Sequence, residues 1–149
     1  MFDARPFIQI QEGFAGNVAP FAAWQMLAAD PRLVMVDVRT EAEWNFVGHP
    51  DLSSLGKELK FVQWQLFPGM AANPDFAVQL EKAVPDKDTP ILFICRIGQR
   101  SRHAAVAATA QGYRCCYNVA DGFEGKPDEA KHRGLLGGWK VEGLPWVQY

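Results

Sequence analysis

Short runs of consecutive apolar residues alternate along the chain with segments whose apolar residues recur at helical spacing. The unbroken runs predict buried strands at residues 33–36, 59–62, 91–94 and 115–119. The periodic segments predict helices at residues 20–29, 40–46 and 101–111, with a further helix starting at residue 73. Strands that alternate with helices, each strand being apolar on both faces, indicate an α/β fold with a mostly parallel central sheet and helices on both faces.

The remaining segments show neither pattern. Residues 1–17 contain one proline and two glycines, and they predict an N-terminal arm or a short edge strand. Residues 64–70 predict a loop, and residues 124–138, which are charged and rich in glycine, predict an exposed excursion. A length of 149 residues fits a single domain that takes up the whole chain, residues 1–149.

The composition is that of an ordinary globular protein, with 48% hydrophobic and 21% charged residues. A formal net charge of −2 gives no general electrostatic reason to bind nucleic acid or an anionic membrane. No apolar run approaches the length that spans a bilayer, and the N-terminus lacks the basic and apolar segments of a signal peptide. We therefore expect no nucleic-acid partner, no membrane association and a cytoplasmic location.

The cysteines and histidines do not form a structural framework. Three cysteines, two of them adjacent at Cys115 and Cys116, do not suit a set of disulfides and fit a reducing compartment such as the cytoplasm. The three histidines are scattered, and no His and Cys have the spacing of a zinc site. We therefore predict no metal and no other cofactor.

One cysteine, Cys95, ends a predicted strand and precedes a loop that contains Gly98 and two arginines, Arg96 and Arg100. A helix follows the loop, and its unpaired backbone N–H groups, its dipole and the guanidinium groups all stabilise negative charge. The thiolate form of Cys95 is therefore favoured. A lone cysteine after an apolar strand is usually a small buried hydrophobic residue, but burial alone does not account for the two arginines.

Two further polar residues, Asp37 and Arg39, also follow a predicted parallel strand. Ligands of such sheets bind beyond the carboxyl ends of the strands, where these two residues and Cys95 would meet. The sequence therefore predicts one shared site at that edge of the sheet.

Three segments together resemble the rhodanese family in order and spacing. The first is Val-Asp-Val-Arg-Thr-Glu-Ala-Glu-Trp at residues 36–44, followed by Gly-His at 48–49. The second is Cys-Arg-Ile-Gly-Gln-Arg-Ser at residues 95–101, and the third is Asn-Val-Ala-Asp-Gly-Phe at 118–123 with a closing Gly-Leu-Pro at 143–145. The resemblance covers residues 18–147, nearly the whole chain, and implies a rhodanese-like fold and a sulfurtransferase.

In that family a loop cysteine takes a sulfane sulfur from thiosulfate or a similar anionic donor, becomes a persulfide, and gives the sulfur to cyanide or a thiol. The resemblance implies that Cys95 is the nucleophile. It also implies that the backbone N–H groups of the following residues cradle the sulfur, namely those of Arg96, Ile97, Gly98, Gln99, Arg100 and Ser101. Arg96 and Arg100 would attract the donor and steady the leaving sulfite, and Asp37 and Arg39 would brace the loop without reacting.

The sequence departs from the family pattern in two places. Gly-His is followed by Pro-Asp-Leu-Ser at residues 50–53 rather than by the common Ile-Pro-Gly-Ala, which alters one wall near the site. The excursion at residues 124–138 is longer than a minimal domain of this family needs, and it could cover the pocket or bind a partner.

Two other functions stay open. Tyrosine-type phosphatases also carry a cysteine loop at a helix N-terminus, but with five residues between the cysteine and the arginine. Only four separate Cys95 from Arg100, which opposes the positioning of a phosphate ester. A sulfur relay or interaction module would instead pass sulfur between proteins, with residues 126–138 as the docking surface. Cys115 or Cys116 could also act as a resolving cysteine, although buried cysteines are normally inert.

Overall fold

The regular structure comprises ten strands and four helices within residues 2–148, the part of the chain that the computed structural model describes. The strands are β1 (Ile8–Gln11), β2 (Phe14–Val18), β3 (Val34–Asp37), β4 (His49–Pro50), β5 (Lys60–Phe61), β6 (Gln65–Leu66), β7 (Ala71–Ala72), β8 (Ile91–Ile94), β9 (Cys116–Val119) and β10 (Trp146–Val147). The helices are α1 (Pro20–Ala29), α2 (Glu41–Phe46), α3 (Phe76–Ala83) and α4 (Gln99–Gln111), with short 3₁₀ turns at Arg5–Phe7 and Ser53–Leu55. No helix within these residues combines the length and the apolar character that a bilayer span requires.

Six of the strands form the central sheet, in the order β1-β2-β9-β8-β3-β5. Only β1 runs antiparallel to its neighbour; the pairs β2–β9, β9–β8, β8–β3 and β3–β5 are all parallel. The short pairs β4–β10 and β6–β7 lie outside this sheet and are antiparallel. The predicted α/β fold with a mostly parallel sheet is therefore confirmed.

Side chains on the two faces of β8 point into two separate hydrophobic cores. Ile91 and Phe93 pack in one core with α3 and α4, whereas Leu92 and Ile94 pack in the other with α1. All four side chains are fully buried, which is why this strand is an unbroken apolar run rather than an alternating one. The helices meet these faces mainly with small or aliphatic residues, among them Ala104, Ala105 and Ala108 of α4 and Ala22, Ala23 and Leu27 of α1.

Local signals determine where α2 and α4 begin. The Thr40 hydroxyl accepts the N–H of Glu43 at 3.3 Å, and the Glu43 carboxylate accepts the N–H of Thr40 at 3.2 Å, which is the capping box that a Thr-x-x-Glu pattern indicates. Helix α4 starts at Gln99 rather than at residue 101, directly after Gly98, which has a left-handed φ of 97°. A second left-handed glycine, Gly112, ends α4.

The N-terminal segment, predicted as an arm or a short edge strand, contains an edge strand and a second strand inside the sheet. Residues 8–18 form the hairpin β1–β2, and only β1 lies at the edge of the sheet, because β2 pairs in parallel with β9. Strand β2 buries every second residue, at Phe14, Gly16 and Val18. The glycine carries no apolar side chain, and this absence hides the alternation from a reading of the sequence.

Two other irregular segments have their own structure. Residues 64–70, predicted as a loop, contribute β6 to a small hairpin with β7. Residues 124–138 contain no helix or strand and are mostly exposed, as expected of the excursion. The excursion is nevertheless anchored, because the N–H of Gly134 donates to the carbonyl of Glu124 at 3.0 Å. The chain returns to the core directly after it, at the fully buried Trp139.

Candidate active site

Cys95 follows β8 at its carboxyl end, and three polar groups lie against its sulfur. The backbone N–H groups of Gly98 and Ser101 donate to Sγ at 3.2 and 3.3 Å, and the Ser101 hydroxyl lies 3.1 Å from it. The left-handed conformation of Gly98 lets the chain turn from the loop into α4, and a residue with a Cβ would adopt it only under strain. Since hydrogen-bond donors that converge on one atom stabilise negative charge there, the loop is built to hold a sulfur anion.

The turn that follows β9 fixes the backbone of this loop. The carbonyl of Cys95 accepts the N–H of Phe123 at 2.8 Å, and the carbonyl of Arg96 accepts the N–H groups of Glu124 and Gly125 at 3.0 and 3.1 Å. Gly122, with a φ of 61°, lets the two segments approach, because a Cβ at this position would lie 2.5 Å from the Cys95 carbonyl oxygen. The start of the excursion is therefore part of the site.

Asp37 and Arg39 form a buried ion pair beneath this turn. The Arg39 side chain donates from Nη2 and Nε to the two carboxylate oxygens at 2.8–3.2 Å, and both side chains have no exposed surface. Burial lowers the pKa of Arg39, but the Asp37 carboxylate outweighs that effect and the net shift is upward, so the guanidinium stays charged. Its centre lies 4.5 Å from the ring centroid of Phe123, the residue that holds the Cys95 carbonyl. The bracing role of Asp37 and Arg39 stays a prediction, and these are the contacts through which they would act on the loop.

Arg100 and Arg96 each have an acidic partner that the sequence did not reveal. Arg100 makes a bidentate pair with Glu43, with N–O distances of 2.6 and 2.9 Å. Nε of Arg96 lies 3.0 Å from Oε2 of Glu124, close enough for an ion pair although the two groups are not aligned for a hydrogen bond. Binding of the donor by these arginines stays a prediction, and it is weakened because carboxylates already offset both charges.

Glu43 has a shifted pKa because of this contact. Burial raises the pKa of Glu43, but the hydrogen bonds and the charge of Arg100 lower it more, and the net shift is downward. Glu43 also belongs to the capping box of α2. One carboxylate thus links the start of α2 to the cysteine loop.

Asn118 on β9 contacts both residues that donate to the sulfur, Gly98 and Ser101, and sequence reasoning gave it no role. Its Oδ1 atom accepts the hydroxyl of Ser101 at 2.5 Å, and its Nδ2 atom donates to the carbonyl of Gly98 at 3.0 Å and to Oδ1 of Asn17 at 2.9 Å. The side chain is almost completely buried. A polar residue inside an otherwise buried strand was the available signal, since such a group must find hydrogen-bond partners.

Cys95 opens on a cavity of about 370 Å³. Arg96, Ile97, Gln99 and Arg100 line this cavity, whereas Gly98 and Ser101 lie behind the sulfur. Trp64 and Gln65 contribute another part of the wall, and His103 and Arg133 complete it. The predicted loop residues are therefore brought together around Cys95, while Asp37 and Arg39 lie outside the lining.

A larger cavity, of about 530 Å³, lies at the opposite edge of the sheet, where residues that precede β3, β8 and β9 line it together with Cys115 and Tyr117. The groups that hold the Cys95 sulfur are at the carboxyl ends of the strands, so we assign the chemistry to the smaller cavity.

Cys116 is too far from Cys95 along the sheet to act on its persulfide. Ile91 of β8 pairs with Cys116 of β9, which places Cys116 four residues, or about 13 Å, from the level of Cys95. Burial raises the pKa of Cys116 to about 11, so this thiol is a poor candidate for a resolving cysteine.

The parallel sheet and the cysteine loop at a strand's carboxyl end define an α/β domain in which backbone N–H groups donate to the sulfur of one cysteine. The chain belongs to the rhodanese-like domain family, whose family model matches residues 21–125. This finding confirms the resemblance drawn from the three motifs.

Similar proteins cover nearly the whole chain. The RP600 homolog of Rickettsia rickettsii, an uncharacterized protein, is 40% identical over 131 residues, which are 87% of this chain and 95% of that protein. The crystal structure of Rv0390 from M. tuberculosis is 48% identical, with a TM-score of 0.85 over 91% of this chain and 99% of that chain. The polysulfide-sulfur transferase homodimer of Wolinella succinogenes shares the fold, with a TM-score of 0.61 and 21% identity over 89% of this chain and 78% of that chain.

Proposed function

We propose that the protein is a sulfurtransferase that carries a sulfane sulfur on Cys95 as a persulfide. The observation that supports this most directly is the pair of backbone N–H groups, of Gly98 and Ser101, that donate to Sγ, with the Ser101 hydroxyl 3.1 Å from the same atom. Such a cradle stabilises both a thiolate and a persulfide anion, and it needs no separate base because the thiolate is itself the nucleophile. Family membership favours the same chemistry.

The reaction has two half-reactions. The Cys95 thiolate attacks the sulfane sulfur of thiosulfate, a new S–S bond forms at Sγ, and the bond to the sulfonate group breaks, so that sulfite leaves with the electron pair. Cyanide or a thiolate then attacks the outer sulfur and leaves as thiocyanate or as a new persulfide. Cys95 regains its electron pair as the thiolate, and no metal or redox cofactor enters the balance.

The anionic donor is proposed as a class, with thiosulfate as its simplest member. The relative from Wolinella succinogenes is described as a polysulfide-sulfur transferase, so inorganic polysulfide is the second donor to test. Both donors carry negative charge and deliver a sulfur in the same oxidation state. We further propose a cytoplasmic location, because all three cysteines are free, as is usual for proteins of a reducing compartment.

The test is intact-mass spectrometry after incubation with thiosulfate or inorganic polysulfide. Wild-type protein should gain one sulfur, about 32 Da, and lose it again on addition of a thiol. Cys95→Ser should gain nothing, whereas Cys115→Ser, a matched control at the opposite edge of the sheet, should load normally. A wild type that loads with neither donor, or a Cys95→Ser variant that loads, would contradict the proposal.

A protein-to-protein relay is the second candidate, and one observation favours it. A cavity beside Arg96 and Arg100 is bordered by three apolar side chains that are unusually exposed, Phe46 at 78%, Phe67 at 63% and Met70 at 39%. Exposed apolar groups of this size are more typical of a contact surface than of a site for a small anion alone. A relay would form a stable persulfide but would turn over thiosulfate and cyanide poorly. An enzyme for small donors would form the persulfide and also turn over thiosulfate and cyanide efficiently.

A further inference from the structure

The positive charges around Cys95 are not equally available to a ligand. Arg100 is paired with Glu43 and Arg96 with Glu124, so each of these guanidinium groups is offset by a carboxylate. Arg133, which lines the same cavity, has no carboxylate oxygen within 4.0 Å among residues 2–148. Its hydrogen bond, from Nη1 to the carbonyl of Gly125 at 3.3 Å, is to a neutral group. Arg133 is therefore the guanidinium in this wall whose charge is not neutralised.

The excursion presents Arg133 to the cavity through its own hydrogen bonds. The next residue, Gly134, donates to the carbonyl of Glu124, and the preceding residue, His132, donates its N–H to the carboxylate of Asp128 at 2.8 Å. These bonds hold both sides of Arg133 within the excursion, and Glu124 and Gly125 are themselves hydrogen-bonded to the cysteine loop. The position of Arg133 is thus coupled to that of Cys95.

A guanidinium group has five N–H donors in a planar fork that matches the oxygen atoms of an anion. One donor of Arg133 is used by Gly125, which leaves the others for a ligand in the cavity. We propose that Arg133 binds the anionic end of the sulfur donor, the sulfonate of thiosulfate or the terminal charge of a polysulfide, and so determines specificity for anionic donors. This inference rests on the proposed function and assigns a role to the excursion, which lies largely beyond the matched family region.

The two half-reactions would depend differently on Arg133. In loading, the donor brings negative charge, and more charge collects on the sulfonate oxygens as sulfite leaves, so a guanidinium stabilises both binding and departure. In unloading by 2-mercaptoethanol the attacking thiolate carries its charge on the reacting sulfur, and no sulfonate group has to be bound or released. Loss of the Arg133 charge should therefore slow loading far more than unloading.

The first experiment compares Arg133→Gln with Arg102→Gln, a matched control because Arg102 is exposed on α4 and lies outside the cavity lining. The rate of persulfide formation at low thiosulfate should fall about tenfold in Arg133→Gln, with a higher half-saturating concentration. Arg133→Lys, which keeps the charge but not the fork, should recover part of the rate. Unloading by 2-mercaptoethanol should stay within about twofold of the wild type in all three variants. Equal loading by the wild type and Arg133→Gln would overturn the inference.

A second experiment separates failure of this inference from failure of the proposed function. Alkylation of Cys95 by iodoacetate, an anion, is compared with alkylation by the neutral iodoacetamide, and peptide mapping assigns the adduct to Cys95. The ratio of the two rates should fall several-fold in Arg133→Gln and stay constant in Arg102→Gln. A fallen ratio in a protein that does not load with sulfur would overturn the sulfurtransferase but keep the anion site. An unchanged ratio would overturn the anion site whether or not the protein loads.

Discussion

Replacement of Asp37 by asparagine should destabilise the protein severely while leaving sulfur loading almost intact. Asp37 is fully buried, and its two oxygens receive Nε and Nη2 of Arg39. Asparagine keeps the shape but presents an N–H₂ group where one of those oxygens stood, so a donor would face a donor. The charged Arg39 would then lack its counter-ion in a place that water does not reach.

The size of the effect follows from the burial of both partners. Removal of one member of a buried ion pair costs about 3–5 kcal/mol, because the remaining charge is left uncompensated. Nη1 of Arg39 already has no hydrogen-bond partner among the described residues, so the buried guanidinium depends on the Asp37 carboxylate to compensate its charge. For a chain of this length each kcal/mol lowers the melting temperature by about 2–4 °C, which predicts a drop of about 6–20 °C.

Urea unfolding of Asp37→Asn and of a matched exposed pair measures this effect. Asp88→Asn is the control, since Asp88 is also paired with an arginine, at 2.9 Å, but the side chains of Arg114 and Asp88 are 79% and 56% exposed. The control should lose about 0–1 kcal/mol. The double variant Asp37→Leu with Arg39→Met should regain most of the stability lost in Asp37→Asn, because it removes both charges together.

The same variants test whether Asp37 reacts. Folded Asp37→Asn should acquire the Cys95 persulfide at a rate within about threefold of the wild type, since Asp37 does not line the cavity. A stable Asp37→Asn protein that no longer loads would refute the bracing role and make Asp37 a participant. A loss of stability no larger than that of Asp88→Asn would refute the energetic argument.

Two further predictions concern Glu43 and Asn118. Glu43→Gln should reduce the free energy of unfolding by about 1–3 kcal/mol at about pH 7, since Gln keeps the capping box but loses the charged contact with Arg100. The folded-state pKa of Glu43 lies below its ordinary value near 4.5. The difference in free energy of unfolding between the wild type and Glu43→Gln should therefore be full above that value and disappear as the pH falls through the folded pKa. Urea unfolding at several pH values checks this, and a constant difference down to about pH 3 would contradict it. Asn118→Asp should slow persulfide formation about tenfold, because a carboxylate beside Ser101 would repel the negative charge of the Cys95 thiolate. Mass-spectrometric time courses measure the rate, and an unchanged rate would show that Asn118 does not influence the sulfur.

The sequence predicted the elements whose signal is local. Apolar runs located β3, β8 and β9, and the Thr-x-x-Glu pattern located the start of α2. Burial on both faces of a parallel strand leaves an unbroken hydrophobic run, so these three strands could be predicted from the order of apolar residues along the chain. Strand β2 was not readable, because the position between its buried Phe14 and Val18 is a glycine.

The same distinction applies to the site. Cys95, Gly98 and Ser101 belong to one short segment, so their meeting could be predicted from the loop and the helix that follows it. The partners of the arginines could not, since Glu43 lies 57 residues from Arg100 along the chain. Asn118 likewise reaches Ser101 only because β9 lies next to β8 in the sheet.

The charges of the site divide into two groups with different consequences for specificity. Three arginines of the family motifs, Arg39, Arg96 and Arg100, are each matched to a carboxylate, and the Cys95 sulfur receives its hydrogen bonds from backbone N–H groups. Paired charges hold a loop in place but add little net attraction for an anion, because the field of each pair falls off quickly. Among the described residues of the cavity wall, the guanidinium without a carboxylate partner is that of Arg133, outside the motifs, and we assign to it the selective attraction for an anionic donor. Conserving the motif chemistry while changing the excursion would thus alter which donor is accepted without altering how the sulfur is carried.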